Sequence, residues 1–330
     1  MSSKNKILFL ILFLLLPIVA IVHLFVGEIN LSFLDFYNSL FKFNSSNTNH
    51  IIFQEFRIPR LIMGIIAGSG LSIAGLLMQT MFNNPLAGPY ILGINSGSSL
   101  FVAFSIMTGI PFLTSDIGTI SSALIGAFIF GLIILSFSFV VRSHVSLLLI
   151  GIMLGSFTSA FVSILQSMSD PGQLKLFTMW AMGSLQQVEL DQLPIIVSFF
   201  LIGLIASLFV IKPLNTLILG ESQALMLGFH IKYVRLILIV ITAILTGLIT
   251  AFCGPIAFVG LAVPNLVKLV FKTQSHSSLL LGCFLIGSVF LLLCDILVQL
   301  LESSVHIPIN ALTSIIGAPF VIVIVLKRLA

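Results

Sequence analysis

Residues 7–26 read ILFLILFLLLPIVAIVHLFV, twenty positions without a single Asp, Glu, Lys or Arg. At about 1.5 Å per residue such a run spans roughly 30 Å, the thickness of a bilayer's hydrocarbon core. It is apolar on every face, which suits a helix in lipid and not a strand of a membrane barrel, where polarity alternates. Runs of similar length recur along the chain. Of its 330 residues 58% are hydrophobic and 7% charged, against roughly a quarter charged in a soluble domain. A water-soluble fold is excluded, and an all-α polytopic membrane protein is expected.

Polar punctuation divides the chain into ten helical segments, 7–26, 61–82, 91–110, 119–141, 147–168, 193–212, 235–253, 255–271, 278–298 and 309–326. Gly254-Pro255 separates the seventh from the short eighth so narrowly that a hairpin or a broken helix is expected there. With the N-terminus inside, ten of the fourteen basic residues, Arg142 among them, fall on cytoplasmic segments, while Lys42, Arg57, Arg60 and Lys175 stay outside. This positive-inside bias puts both termini in the cytoplasm. Lys4 and Lys6 before the first run resemble a signal peptide, but no small-residue cleavage site follows cleanly, so an uncleaved first helix is expected. The formal charge of +4 is scattered and forms no basic arm, which argues against nucleic acid as a partner. Cys253, Cys283 and Cys294 lack CxxC or zinc-ligand spacing and read as small core residues. Two outer segments, 27–60 and 169–192, and one inner segment, 213–234, are long enough to concentrate function.

The chain has no GxxxxGK[ST] loop, HExxH, GxSxG or aspartate-rich pair. No catalytic residue is assigned, and neither a metal nor a cofactor is expected on this chain. Asp295 is the main ionisable residue inside a span, with Gln299 one turn along the same helical face. It reads either as a pathway or proton site or, preferred here, as a carboxylate satisfied by polar neighbours. Gly64 and Gly68, Gly151 and Gly155, with Gly70, Ala74 and Gly75, provide small surfaces for close helix packing. Asn83-Asn84-Pro85-Leu86-Ala87-Gly88-Pro89 breaks the chain between the second and third helices. Arg57-Ile58-Pro59-Arg60 opens the second helix, with Pro59 suited to the first helical position. The two arginines either snorkel to the interface or stand exposed beside a pore mouth, ready for the carboxylates of a docking protein. Leu219 to Gly228 forms a short helix-former stretch between two glycines, a natural knob for a cytoplasmic partner.

Seven stretches in chain order carry a resemblance: RIPR (57–60), NPLAGPYILGINSG (84–97), LLLIGIMLG (147–155), MWAMGSL (179–185), LGESQALMLG (219–228), GPIAFVGLAVPNLVK (254–268) and IPINALTSIIGAPF (307–320). They resemble the FecCD-type permeases of ABC importers for iron siderophores, haem and cobalamin. The resemblance implies the ABC type II importer permease architecture, with one transmembrane permease domain over 1–330 and a cytoplasmic coupling segment at 213–234. It also implies a multi-pass protein of the cytoplasmic (inner) membrane, paired with a second copy or a paralogue. Such a permease carries no ATPase of its own, and ATP-Mg would sit on two copies of a partner ATPase. By the same resemblance Arg57 and Arg60 meet acidic residues of an extracytoplasmic substrate-binding protein. Asn84, Pro85 and Leu86, with His144 and Val145, would form the cytoplasmic gate. Leu219, Gly220, Glu221, Ala224, Leu227 and Gly228 would form the ATPase coupling contact.

Two positions depart from the family pattern. Gln299 stands where members often carry an arginine, and Pro264-Asn265-Leu266-Val267-Lys268 replaces a PHxxR-like sequence. The expected function is ATP-driven import of an iron(III) siderophore as a metal-chelate substrate, with haem or cobalamin as alternatives. A secondary carrier driven by an ion gradient would need more buried charge than these spans contain.

Overall fold

The computed structural model describes residues 3–329 except Glu28, Asn30, Arg142, Ser303, Ser304 and His306; the side chains of Ser3, Ile91, Leu92, Pro111, Leu113, His144 and residues 324–329 also lie outside the described part. Arg142, counted above with the cytoplasmic bases, and the His144 side chain, assigned above to the gate, are therefore outside the described residues, as are the side chains of Lys327 and Arg328.

The described chain is helical and contains no strand. Helix α1 (Ser3–Phe25) runs unbroken through Pro17. Two short helices, α2 (Phe33–Phe41) and α3 (Thr48–Ile51), lead through a π-helical turn (Ile52–Arg57) into α4 (Ile58–Met81). A 3₁₀ turn (Pro89–Leu92), α5 (Ile94–Met107) and α6 (Pro111–Thr114) follow, then the long pair α7 (Asp116–Val140) and α8 (His144–Met168). The chain continues through α9 (Pro171–Ala181), α10 (Leu193–Phe209), α11 (Ile211–Leu217) and α12 (Glu221–Met226). It ends with α13 (Ile231–Cys253), α14 (Val259–Phe271), α15 (His276–Leu301) and α16 (Ile309–Leu329). Seven described helical stretches are long and apolar enough to cross a membrane, and Ile94–Met107, Val259–Phe271 and Ile309–Val323 are shorter apolar helices. A multi-pass membrane protein follows from length and composition.

Three departures from the expected boundaries have local causes. The second span is helical from Thr48 to Met81 rather than from residue 61. The π turn lets the chain pass Pro59 without a break: Ile58 N–H reaches back five residues to Phe53 O, a spacing found as single turns inside α-helices. The third helix begins only at Ile94, because Pro89 starts the 3₁₀ turn and Gly93 closes it with φ of 71°. The eighth span shortens to α14 because residues 254–258 are irregular, as the Gly254-Pro255 pair led us to expect.

Irregular backbone at membrane depth must find hydrogen bonds inside the protein. Here Tyr90 Oη donates to Ile256 O at 2.5 Å and accepts from Ile256 N–H at 3.0 Å. Asn310 Oδ1 accepts from Ala257 N–H at 2.9 Å, and Cys253 O accepts from Ser184 N–H at 2.8 Å. Side chains from the 3₁₀ turn and α16 thus replace the missing helical ladder.

Helix α4 is the axle of the bundle, buried along most of its length and packed against α15, α13, α14 and α1. Its small residues are what permit this: a Cβ on Gly68 would run into the Gly287 carbonyl of α15, and one on Gly75 into Gly260 of α14. The glycines of α8 are less demanding: Gly93 lies against Gly151 O, and a Cβ added at Gly155 would meet Ser96 Oγ at about van der Waals distance. All three cysteines are buried in the core as free thiols. Helix α8, by contrast, buries little of its surface.

Candidate functional site

At the end of α4 that carries RIPR, the structure gathers a buried polar cluster. Arg57 is only 9% exposed. Its Nη1 donates to Leu24 O and its Nη2 to Ile29 O, both at 2.6 Å, and the guanidinium lies 5.5 Å over the Phe53 ring. It staples the end of α1 to the π turn. Arg60 lies one helical turn on. Its Nε and Nη2 donate to the two carboxylate oxygens of Asp295 at 2.7 and 2.9 Å, and Nη1 stands 3.8 Å from Glu302. Asp295 is 1% exposed. The same carboxylate is met by His23 Nε2 at 2.7 Å and Gln299 Nε2 at 3.2 Å, and Glu302 accepts from Gln186 Nε2 at 2.8 Å.

The expectation of two exposed cations is thus corrected. The Arg60 guanidinium fork is taken up by the buried Asp295 carboxylate, which would be costly to leave unpaired. The preferred reading of Asp295 as internally satisfied holds. His23 was missed in the sequence: the rule that singled out Asp295, an ionisable group inside an apolar run, applies equally to it. Gln299, the departure from the family arginine, serves the same carboxylate as a neutral donor.

At the other end of α4, some 24 residues or about 36 Å away, the Asn84-Pro85-Leu86 turn is held by side chains. Asn83 adopts φ of 45°, a left-handed conformation that asparagine tolerates. Asn84 Oδ1 accepts from Leu86 N–H at 2.9 Å, and Asn265 Nδ2 donates to Pro85 O at 2.8 Å and Leu261 O at 2.9 Å. Lys268 Nζ donates to Gln79 Oε1 at 2.8 Å. The second departure from the family pattern, Asn265, therefore ties α14 to this turn. Val145, at the start of α8, is exposed. Further along, α8 lies against the end of the 3₁₀ turn, where Gly93 faces Gly151 and Leu154.

The Leu219–Gly228 stretch is built on two glycines. Gly220 (φ 110°) and Gly228 (φ 86°) lie in the left-handed half of the map with open space around a Cβ, so the demand there is conformational. Between them Ala224 is fully buried and Glu221 is tied to Arg235 of α13 at 2.6 Å. The outward surface belongs to Leu219, Leu225, Leu227 and Met226, the last 86% exposed. Within the stretch Leu219 to Gly228, Ala224, named among the coupling residues, points inward, while Leu225 and Met226, not named singly, stand exposed. The helical spacing of the six residues, with Ala224 inward, could have assigned the outward face to its neighbours.

A family model for the FecCD transport family matches residues 14–327. The chain belongs to that family. It is 34% identical to the hemin transport system permease protein of Yersinia pestis over 322 residues, 96% of this chain and 94% of the relative. It is 32% identical to the vitamin B12 import system permease protein of Vibrio vulnificus, covering 95% and 92%. Its fold superposes on an inward-facing structure described as a metal-chelate type ABC transporter with a TM-score of 0.86, 31% identity, and 98% and 99% of the two chains covered. The fold is that of an ABC importer permease, and this FecCD member is a transport subunit, as its relatives are named.

Proposed function

We propose that this FecCD permease carries an iron(III) siderophore across the cytoplasmic membrane by ATP-driven alternating access, as one of a pair of permease subunits. The observation that supports the reading best is the separation of two unlike ends along α4. One end carries the largely buried arginine and carboxylate cluster, assigned here to the outer face, and the other lies beside Ile218, which leads into the Leu219–Gly228 knob with its exposed apolar side chains, assigned here to the cytoplasm, where each of two ATPase subunits would receive one. An extracytoplasmic binding protein would dock over Arg57 and Arg60. Because both are already engaged, its carboxylates would have to share or displace the bonds to Asp295, Ile29 O and Leu24 O. Glu302, at the rim of this cluster, is the group such a carboxylate would replace first. The Asn84-Pro85-Leu86 turn, with the start of α8 at His144 and Val145, is the proposed cytoplasmic gate. Helix α8, with exposed Leu149, Met153 and Phe157, offers the face for a second copy or a paralogue. No chemistry is assigned to the permease itself, and ATP-Mg belongs to the partner.

A second substrate reading, haem or cobalamin, is favoured by the names of the two curated relatives above. Reconstitution decides between them. Liposomes containing the permease, its ATPase and its binding protein should accumulate labelled ferric siderophore only when all three components and ATP are present. Met226→Asp should remove most of the uptake without altering the thermal stability of the purified permease. Uptake of haem or cobalamin in place of every ferric siderophore would transfer the substrate assignment, and uptake by the permease alone on an ion gradient would refute the ABC mechanism.

A further inference from the structure

Lys4 of α1 and Lys272 at the end of α14 line one cavity of about 500 Å³, at the end of the bundle assigned above to the cytoplasm. Thr273, Ser275, Ser277 and Ser278 add four hydroxyls to its wall, and among the described residues no Asp or Glu lines it. Neither lysine has an ion-pair partner among the described residues. Packing fixes the cavity: Asn5 Nδ2 donates to Phe271 O at 3.2 Å, and the Phe9 ring stacks on Phe271 with centroids 4.3 Å apart. These contacts hold the start of α1 against the end of α14, and so bring Lys4 to the same space as Lys272. Lys272 caps α14 with φ of 46°, a left-handed position where glycine is the usual, unstrained choice. A lysine there carries a conformational cost that no ion pair among the described residues offsets.

A second, independent feature identifies the guest. At 3.6 residues per turn, Lys4, Ile7, Ile11, Leu14 and Ile18 fall within an arc of roughly 80° on α1, and they extend over about 21 Å of its length. The four apolar members are each more than half exposed, whereas Phe9, on the opposite face, is buried. A basic, hydroxyl-lined cavity at the end of a span, continued along the same helix face by an exposed apolar stripe, matches the two parts of a phospholipid. Basic pockets between membrane helices hold anionic headgroups in this way. We propose that the cavity binds an anionic phospholipid, with its phosphate between Lys4 and Lys272 and its acyl chains along the stripe from Ile7 to Ile18. A free phosphate or a partner's carboxylate would use the cavity and leave the stripe bare. Lys272 and Thr273 also line a second cavity, of about 440 Å³, together with Asn84, Pro85 and Ile218. The lipid site thus shares a wall with the proposed gate turn and the approach to the coupling stretch. The inference rests on the membrane reading and not on the identity of the cargo.

The purified permease in detergent is titrated with phosphatidylglycerol, phosphatidylethanolamine and inorganic phosphate, and lipid-bound protein is counted by native mass spectrometry. A lysine near an anionic headgroup is worth about fivefold in affinity, so two should favour phosphatidylglycerol over phosphatidylethanolamine on the order of 25-fold at the first site filled. Lys4→Gln and Lys272→Gly should each cut that preference about fivefold. Lys272→Gly also relieves the left-handed backbone, so its thermal midpoint without added lipid should be at least that of the wild type. A lost preference in a fully stable variant is a result that a purely structural lysine would not give. If one variant fails to fold, the other and the wild-type comparison of the two lipids still test the site. Millimolar inorganic phosphate should leave phosphatidylglycerol binding unchanged. Equal affinity for the two lipids, a preference that neither substitution reduces, or displacement by inorganic phosphate, which would make this a free-anion site, would overturn the proposal.

Discussion

Asp295→Ala strips the counter-charge from Arg60 and leaves His23 and Gln299 facing a void, at a site that is 1% exposed. The Arg60 side chain is itself only 12% exposed, so water cannot replace the lost carboxylate without repacking α1, α4 and α15. Breaking a buried pair by removing one partner costs roughly 3–5 kcal/mol, whereas replacing both partners by apolar residues of similar volume is often neutral or stabilising. Asp295→Ala should therefore lower the thermal midpoint of the purified permease in detergent, by on the order of 5–10 °C if it follows the scale of larger soluble domains. Asp295→Leu combined with Arg60→Met should recover most of that loss. Thermal unfolding of wild type, Asp295→Leu, Arg60→Met and the double variant measures the coupling directly. An unchanged midpoint for Asp295→Ala, or a double variant as unstable as the sum of the singles, would refute the cluster as a coupled buried network. The double variant also separates stability from function, since it removes the proposed docking arginine while preserving the fold. It should be stable and yet defective in binding-protein-dependent uptake.

The other expectations are simpler. Gly68→Ala should destabilise by about 1–3 kcal/mol, because the new Cβ overlaps the Gly287 carbonyl of α15 and the helices must separate; a melting curve like that of the wild type would show that the two helices are not in backbone contact. Tyr90→Phe removes both hydrogen bonds that serve Ile256 in the unwound stretch, with a cost of about 1–3 kcal/mol and faster hydrogen exchange at residues 254–258. Exchange that stays slow there would mean that another group satisfies the break. Gly220→Ala, at φ of 110° with open space around it, should reduce ATP-coupled uptake by distorting the knob while shifting the melting temperature little; normal uptake would show that the left-handed hinge is dispensable.

Much of the architecture was legible in the chain because membrane insertion is a local constraint. Twenty apolar residues in a row leave the backbone no choice but a helix, whatever the rest of the protein does. The break at Gly254-Pro255, the turn at Asn83 to Pro89 and the glycine-flanked knob were equally local, since each depends on residues whose own φ preferences punctuate the helix. Even the close packing of α4 was foreshadowed by its glycine spacing.

What lies around Asp295 was decided elsewhere. His23 and Asp295 are 272 positions apart, and Arg60 and Asp295 are 235 apart; nothing in the neighbourhood of either residue signals the other. Whether an arginine at a helix start is displayed or consumed depends on which carboxylate the bundle brings beside it, and desolvation makes that choice all or none. The same holds for Ala224, inward on the knob. The sequence alone determined the membrane spans and the places where they break, because lipid enforces backbone hydrogen bonding locally. Tertiary structure alone determined which charges pair and which side chains stand buried or exposed, because electrostatics in a low-dielectric interior depends on distances that only packing sets.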